Sequence, residues 1–430
     1  MKSYVIDKII ERTERSSLDW QRGAAGNRSF PLKEYHEKDY KKVGRSDFAK
    51  EVRELELLGL LRCRWYERYS ELDEVRYRLE DLPEFYRRAG RREKYRRLEL
   101  LLQYVRQQKE QAECGWIMEY FRELESRLTD GKIPGDLKAA EMYLQAAENP
   151  VDNWQENPGC CGQLELFAVL RSLDSLREPV YKRVFSSGCL KDRIYNGKVL
   201  KASKVFEHCY QGTVISIARR YHPDVDDSMD DTQVLSQIYL EEYAQQLAVK
   251  GPLRLILQGE EEIDLSPFLY GVVLNSQTLV HAVPSPKQEI HKIITVENQA
   301  NYEAMPYEAG TLIIFCHGYF TPREREFLVK LNQCLKGKPV GYYHTGDLDY
   351  GGVCIFRYIR ERIFPELRPL WMDEAQYERY RHKAEPFEPG IVEKLKKIDE
   401  PLLQPLIDKM AEEGMGVEQE NFIYRISFLP

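Results

Sequence analysis

The chain has 430 residues, 43% hydrophobic and 31% charged, with a net charge of −7; this is a globular composition, too long for one ordinary core, so two or three domains are expected. The negative total excludes a polycation, and any binding to nucleic acid must use local basic patches. The opening "MKSYVIDKIIERTERSS" has no apolar leader core and no run approaches ~18 uninterrupted apolar residues, so a cytoplasmic protein with no membrane partner is expected.

From the N-terminus, "SDFAKEVRELELLGLL" has helical spacing. Ser46 is positioned to cap it, Phe48, Val52, Leu55 and Leu58 share a face, and Gly59 can end it. The period then changes to two. "LLRCRWYE" alternates Leu61, Cys63 and Trp65 with Arg62 and Arg64, and "EVRYRLE" alternates Val75, Tyr77 and Leu79 with Arg76 and Arg78. Two alternating strands joined by "RYSELD" make a hairpin. A helix followed by a hairpin is the pattern of a winged helix, and Arg62, Arg64, Arg76 and Arg78 then lie on its outer face, suited to phosphate contact. The basic run "RRAGRREKYRR" follows, and Arg91 and Arg92 within it are further candidates for DNA contact; a solvated helix face is the plainer reading of the same run. Residues 1–110 are thus expected to form a winged-helix-like DNA-binding unit with a basic helix.

From about 84 to 250 the pattern is mainly helical, with Pro, Gly and Asn accumulating near 150–160; the middle region is taken as 111–284. Its acidic stretch "RYHPDVDDSMDDTQ" lacks the spacing of a calcium loop and reads as a surface loop leading into a helix. Nine scattered cysteines, odd in number and without a CxxC pair, are expected to be reduced thiols rather than zinc ligands.

The last part, 285–430, alternates strands and helices. "HKIITVEN", "GTLIIFC", "KPVGYYHTGD" and "LRPLW" are β-rich, while "TPREREFLVKLNQCL" and "GVCIFRYIRERIF" have helical spacing. That alternation predicts a parallel sheet with helices on its faces, so the whole chain is expected to be an α+β multidomain protein closing on an α/β domain. Ligands of such sheets bind beyond the carboxyl ends of the strands, at a switch in strand order. Glu297 follows the first strand, and Asp347 and Asp349 follow the third, 50 residues after it. Carboxylates brought together are costly unless a cation compensates, which Mg2+ does with few protein ligands and phosphate oxygens. Gly351 and Gly352 permit a tight turn and a close approach of phosphate. A turn at Asp347 and a helix cap at Asp349 would explain the two aspartates equally simply. His317 and His344 adjoin strand ends, and a packed or surface role is the expectation for each.

At these residues a family resemblance appears. Glu297 followed by "DLDYGG" resembles the Toprim domain of topoisomerases, primases and several nucleases. The segments "VENQANY", "CHGYFTP", "YYHTGDLDYGGVCIFRYIR" and "VEQENF", with "LKASKVFEH" upstream, resemble in order the JetD family of Wadjet plasmid-defence nuclease subunits, over roughly residues 160–430. The resemblance implies divalent-metal binding and DNA cleavage by Glu297, Asp347 and Asp349, with Mg2+ or Mn2+ as a two-ion cofactor. It places Glu418 and Glu420 on a late acidic segment as further ligands, and Lys204 where it could meet a phosphate or another subunit. The implied partners are double-stranded plasmid DNA, an SMC-type ATPase complex with its kleisin and accessory subunits, and a second copy of the chain in a homodimer. Two other functions stay open: a topoisomerase VI A-type enzyme using a tyrosine nucleophile, for which Tyr66 and Tyr69 lie near the hairpin, and a non-catalytic DNA-binding scaffold.

Overall fold

The structure is a computed structural model that describes residues 3–31, 44–67, 71–242, 246–257 and 261–422. The chain divides into two compact units, Met1–Ser175 and Leu176–Pro430.

In the first unit the helix Tyr4–Arg15, capped by Ser3, buries Val5, Ile6, Ile9 and Ile10. The expected helix spans Arg45–Leu57 and packs Phe48, Val52 and Leu55 into the same core. Two details differ from expectation. Its N-cap is Gly44, with no side-chain cap bond, so Ser46 lies inside the first turn; Leu58 falls outside the helix and is 56% exposed. Three strands follow from the chain: β1 (Asn27–Pro31), β2 (Arg62–Glu67) and β3 (Glu71–Arg78), in the order β1-β3-β2. The predicted hairpin is β2–β3. β1 was not predicted, because "NRSFP" has no apolar alternation; its five residues are held by antiparallel pairing with β3. Leu72, Val75 and Tyr77 of β3 turn inward, which leaves the arginines outside.

The basic run is not one helix. Gly90, at φ 63°, ends the helix Leu82–Ala89, and a second helix runs Lys94–Gln111. Helices Gly115–Thr129, Lys138–Gln145 and Pro158–Asp174 complete the unit. Most cations of the run are used inside the fold. Arg87 and Arg88 share Glu84, Arg96 pairs with Glu99, and Arg97 is buried between Glu14 and Glu141.

The second unit holds the strands β4 (Val180–Tyr181), β5 (Arg193–Tyr195), β6 (Lys198–Leu200), β7 (Leu240–Glu241), β8 (Gln246–Lys250), β9 (Arg254–Ile256), β10 (Glu262–Asp264), β11 (Val272–Asn275) and β12 (Val283–Pro284). β13 (Lys292–Val296), β14 (Thr311–Phe315), β15 (Gly341–Thr345), β16 (Arg368–Pro369), β17 (Glu385–Pro386) and β18 (Met415–Gly416) follow. The middle region, 111–284, read as mainly helical, thus also carries the short strands β4 to β12. The missed strands have two to five residues, too short for periodicity to register. Asp230 caps the helix Asp231–Gln237 with a reciprocal bond to Gln233, as the acidic stretch suggested.

The main sheet is mixed, in the order β11-β8-β14-β13-β15-β16. β14, β13, β15 and β16 are parallel, while β8 and β11 join antiparallel at one side. Helices Pro322–Leu335 and Tyr350–Arg362 connect the parallel strands where the sequence placed them. After β13 the chain goes to β14 on one side and later to β15 on the other. The ends of β13 and β15 therefore flank a reversal of strand order. All eight cysteines with described side chains are free thiols.

Glu241 is expected to make stability depend on pH. Glu241, at 5% exposure, has an Oε1 with no hydrogen-bond partner. Burial, then the charge of Glu324, pushes its carboxyl up to about 7. A folded-state value above the unfolded one means the contribution is present at low pH and is lost as pH rises toward 7. Glu241→Gln should therefore match the parent near pH 4.5 and exceed it at pH 8 by roughly 2–4 °C in Tm, the shift for about 1 kcal/mol at this size. Thermal melts of both proteins across that range check it; a constant difference would refute the assignment.

Candidate metal centre

Glu297 is the first residue after β13. Its N–H donates to the Thr345 carbonyl at 3.1 Å, which continues the parallel ladder and sets it beside the turn after β15. Its Oε2 accepts from the Asp347 N–H at 3.1 Å. Gly346 makes this approach possible, because a Cβ there would lie 2.3 Å from that oxygen. Asp347 Oδ1 in turn accepts from the Gln419 N–H at 2.6 Å.

A second crossing of the chain completes the site. Leu348 and Val417 exchange both backbone bonds, at 2.8 and 2.9 Å. That bridge carries Glu418 and Glu420 to Asp347, and one carboxylate oxygen from each of the three lies within 4.8 Å of the others. Asp349 caps the helix Tyr350–Arg362 by accepting from the Gly352 N–H at 2.7 Å. The cap reading of Asp349 is thus correct as geometry, and its charge also acts on Glu297 and Glu418. Of the two glycines, Gly352 is demanded by space, since a Cβ would meet the Asp347 carbonyl at 2.1 Å; at Gly351 the nearest atom is 3.4 Å away.

The sequence reading missed the residue that organises this corner. Gln419 is buried, its Nε2 donates to Thr345 Oγ1 at 2.9 Å, and its Oε1 accepts from the Asn298 N–H at 2.9 Å. Its carbonyl accepts from Asn301 Nδ2 at 2.7 Å. Asn298 also donates to Glu420 at 2.5 Å. The only signal was an amide lying between two glutamates of "VEQENF".

The electrostatics follow from burial first and from crowding second. Burial, then Asp347 and Asp349, pushes the Glu297 carboxyl well above its ordinary value. Burial pushes Asp347 up to about 7, with Asp349, Glu418 and Glu420 adding to the rise against the Gln419 hydrogen bond. Asp349 and Glu418 are also raised, mainly by burial. Among the described residues no lysine or arginine pairs with any of the five. An all-oxygen, self-repelling donor set of this kind fits a hard divalent cation.

The remaining candidates sit elsewhere. His344 is buried, its Nδ1 2.9 Å from Thr295 Oγ1, and burial pushes it down to about 3, so it is a neutral core histidine. His317 lies 3.1 Å from Glu324; burial works to lower its pKa, but the charge and hydrogen bond of Glu324 outweigh this and raise it. Lys204, in the short helix Ala202–Val205, is exposed and makes no ion pair among the described residues. In the first unit Arg62, Arg64, Arg76 and Arg78 are exposed on the sheet. Arg91 pairs with Asp7 at 3.0 Å, and Arg92 donates to the carbonyls of Leu144 and Asn149 at 2.6 and 2.7 Å. Tyr66 is 56% exposed on β2, and Tyr69 lies outside the described residues.

Fold and site together define an α+β protein whose mixed sheet ends, at two adjacent parallel strands, in a carboxylate cluster suited to a divalent cation. Residues 261–427, which include all five acidic residues, match the family model for the C-terminal part of Wadjet protein JetD. Over 448 aligned residues the chain is 26% identical to a Wadjet protein JetD of Bacillus cereus (strain Q1), covering 99% of each chain. Both matches support the JetD resemblance read from the sequence.

Proposed function

We propose that this chain is a metal-dependent DNA endonuclease and the effector subunit of a Wadjet-type anti-plasmid complex. The observation that carries the reading is the convergence of Asp347, Glu418 and Glu420, beside Glu297 and Asp349, at the switch between β13 and β15. In this reading residues 285–430, within the second unit, form a Toprim-like catalytic domain, and the helix and sheet around β2–β3 act as a winged-helix-like element. The partners are plasmid DNA, an SMC-type ATPase with its kleisin and accessory subunits, and a second copy of the chain.

Asp347, Glu418 and Glu420 would hold the cation, with Glu297 and Asp349 available to a second one; Mg2+ and Mn2+ both suit such ligands. Bound there, divalent ions supply Lewis acidity to a phosphodiester oxygen and ease the ionisation of water. The chain's own contribution is placement. Gln419 fixes the orientation of the Asp347 carboxylate, and the Leu348–Val417 bridge ties the two acidic segments together. Glu297, its carboxyl raised by burial and by the neighbouring aspartates, is suited to carry a proton at Oε1 or Oε2 during attack on phosphorus.

Plasmid linearisation by the full chain in the presence and absence of a chelator tests the reading; cutting that persists in chelator would overturn it. A backbone variant gives a second check. Gly352→Ala places a methyl against the Asp347 carbonyl and should weaken Mn2+ binding by roughly 10- to 100-fold without touching a ligand side chain, the range for groups that support a metal ligand. Calorimetric titration with Mn2+ reads it.

A further inference from the structure

We infer that the outer face of the β1–β3–β2 sheet is a docking track for the phosphate backbone of duplex DNA, centred on Arg62 and Arg76. This rests on the nuclease reading for the identity of the polyanion. Arg62 stands directly opposite Arg76 in the β2–β3 register, and Ser29 of β1 stands opposite Arg76 on its other side. Arg78 faces Asn27 one pair along. Like charges directly opposite on one face of a sheet destabilise it, so the fold carries a cost here that an anion would remove.

The neutralising groups fall short. Glu74 alone serves both Arg76, at 2.9 Å, and Arg64, at 3.8 Å. Arg64 also reaches Asp73, and Arg78 is held by Asp81 at 2.9 Å. Arg62 is exposed and has no ion pair among the described residues. Arg62, Arg64, Arg76 and Arg78 line one groove of about 510 Å3 with Ser29 and Asn27. Adjacent strands lie about 4.8 Å apart, so guanidiniums on long stems can share one phosphate or take two successive ones. Neutral hydrogen-bonding groups beside cations suit phosphate and sugar contacts, which position a duplex without reading its sequence.

The structure also narrows the surface. The basic run after the sheet contributes less, because Arg91, Arg92 and Arg97 are taken up by Asp7, by carbonyls and by Glu14 and Glu141, while Arg87, Arg88 and Arg96 lie on helices and oppose no like charge across a sheet.

The test is binding of the full chain to a short random-sequence duplex in chelator, followed by fluorescence anisotropy across a salt series. Arg62→Ala with Arg76→Ala should lower the slope of log K against log salt by about 2, roughly 0.9 for each lost phosphate contact, with equal weakening on different sequences. The control Arg87→Ala with Arg88→Ala should leave the slope unchanged. The sheet variant should melt at or above the parent temperature, because it relieves the like-charge pair; a lower Tm would assign the pair a structural role and overturn the inference. So would an unchanged slope and affinity. Equal binding of poly-L-glutamate and loss of both ligands together would assign the face to an acidic protein instead. Since binding is read without metal, failure here leaves the nuclease reading standing, and a duplex bound through Arg62 but never cut would fail that reading and keep this one.

Discussion

Asp347→Asn should lower metal-dependent plasmid cleavage by at least roughly 100-fold, the scale for losing a group that stabilises charge in the transition state. The substitution is nearly isosteric. Asn keeps an oxygen to accept from the Gln419 N–H, so the corner that joins β15 to the segment 417–422 stays folded. What changes is charge. The set formed with Glu418 and Glu420 loses one of its three carboxylates and gains an amide N–H that no cation can use. Without metal the variant should melt at a higher temperature than the parent, because burial, with the neighbouring carboxylates adding to it, already pushes the Asp347 carboxyl up. With Mn2+ the order should reverse, since only the parent gains stability from binding in proportion to RT ln(1 + [Mn2+]/Kd). Melts with and without Mn2+, alongside cleavage, separate a lost ligand from a lost fold. A variant that keeps both its metal-induced rise in Tm and its cutting would remove Asp347 from the site.

The parallel core of the C-terminal sheet was legible because its strands are apolar runs separated by long amphipathic helices, the strongest short-range pattern a sequence offers. Glu297 and Asp347 were legible for the same reason, as charges placed where those runs end. What escaped depends on partners far along the chain. Gln419 acquires its role from Asp347, 72 residues earlier, and from Thr345, Asn298 and Asn301. Local pattern gives an amide between glutamates no such meaning. β8 joins β14 antiparallel across more than sixty residues, and β1 exists only through its register with β3. Arg91 and Arg92 illustrate the converse. Composition marked them as free cations, but Asp7 and a cluster of carbonyls, each brought in by tertiary packing, take up their donors. At Asp349 the hydrogen bonds give the cap reading. A carboxylate that caps a helix retains its charge, and that charge still acts on the acidic residues beside it.

Arg97→Ala should destabilise the first unit by about 3–5 kcal/mol, the cost of removing one partner from a buried ion network. Arg97 is 1% exposed and its guanidinium bridges Glu14 and Glu141, which joins the helices Tyr4–Arg15, Lys94–Gln111 and Lys138–Gln145. Lys94 adds a bond to the Glu14 carbonyl at 2.7 Å, and Tyr86 donates to the Glu14 carboxylate at 3.0 Å. Removing the guanidinium strands two carboxylates in a region where burial already raises the Glu141 carboxyl. Most of the loss is therefore uncompensated charge rather than the net worth of the pairs. Two consequences distinguish this account from simple loss of packing. Acidification should recover part of the deficit in the alanine variant, because protonating the stranded carboxyls removes the penalty. The combination Arg97→Met with Glu141→Leu and Glu14→Gln should be less destabilised than Arg97→Ala alone, since apolar groups of similar volume can replace a buried ion network at little cost. Urea unfolding at two pH values reads both. An alanine variant with the same deficit at either pH, not relieved by the combination, would make Arg97 a packing residue and leave its charge without a structural role.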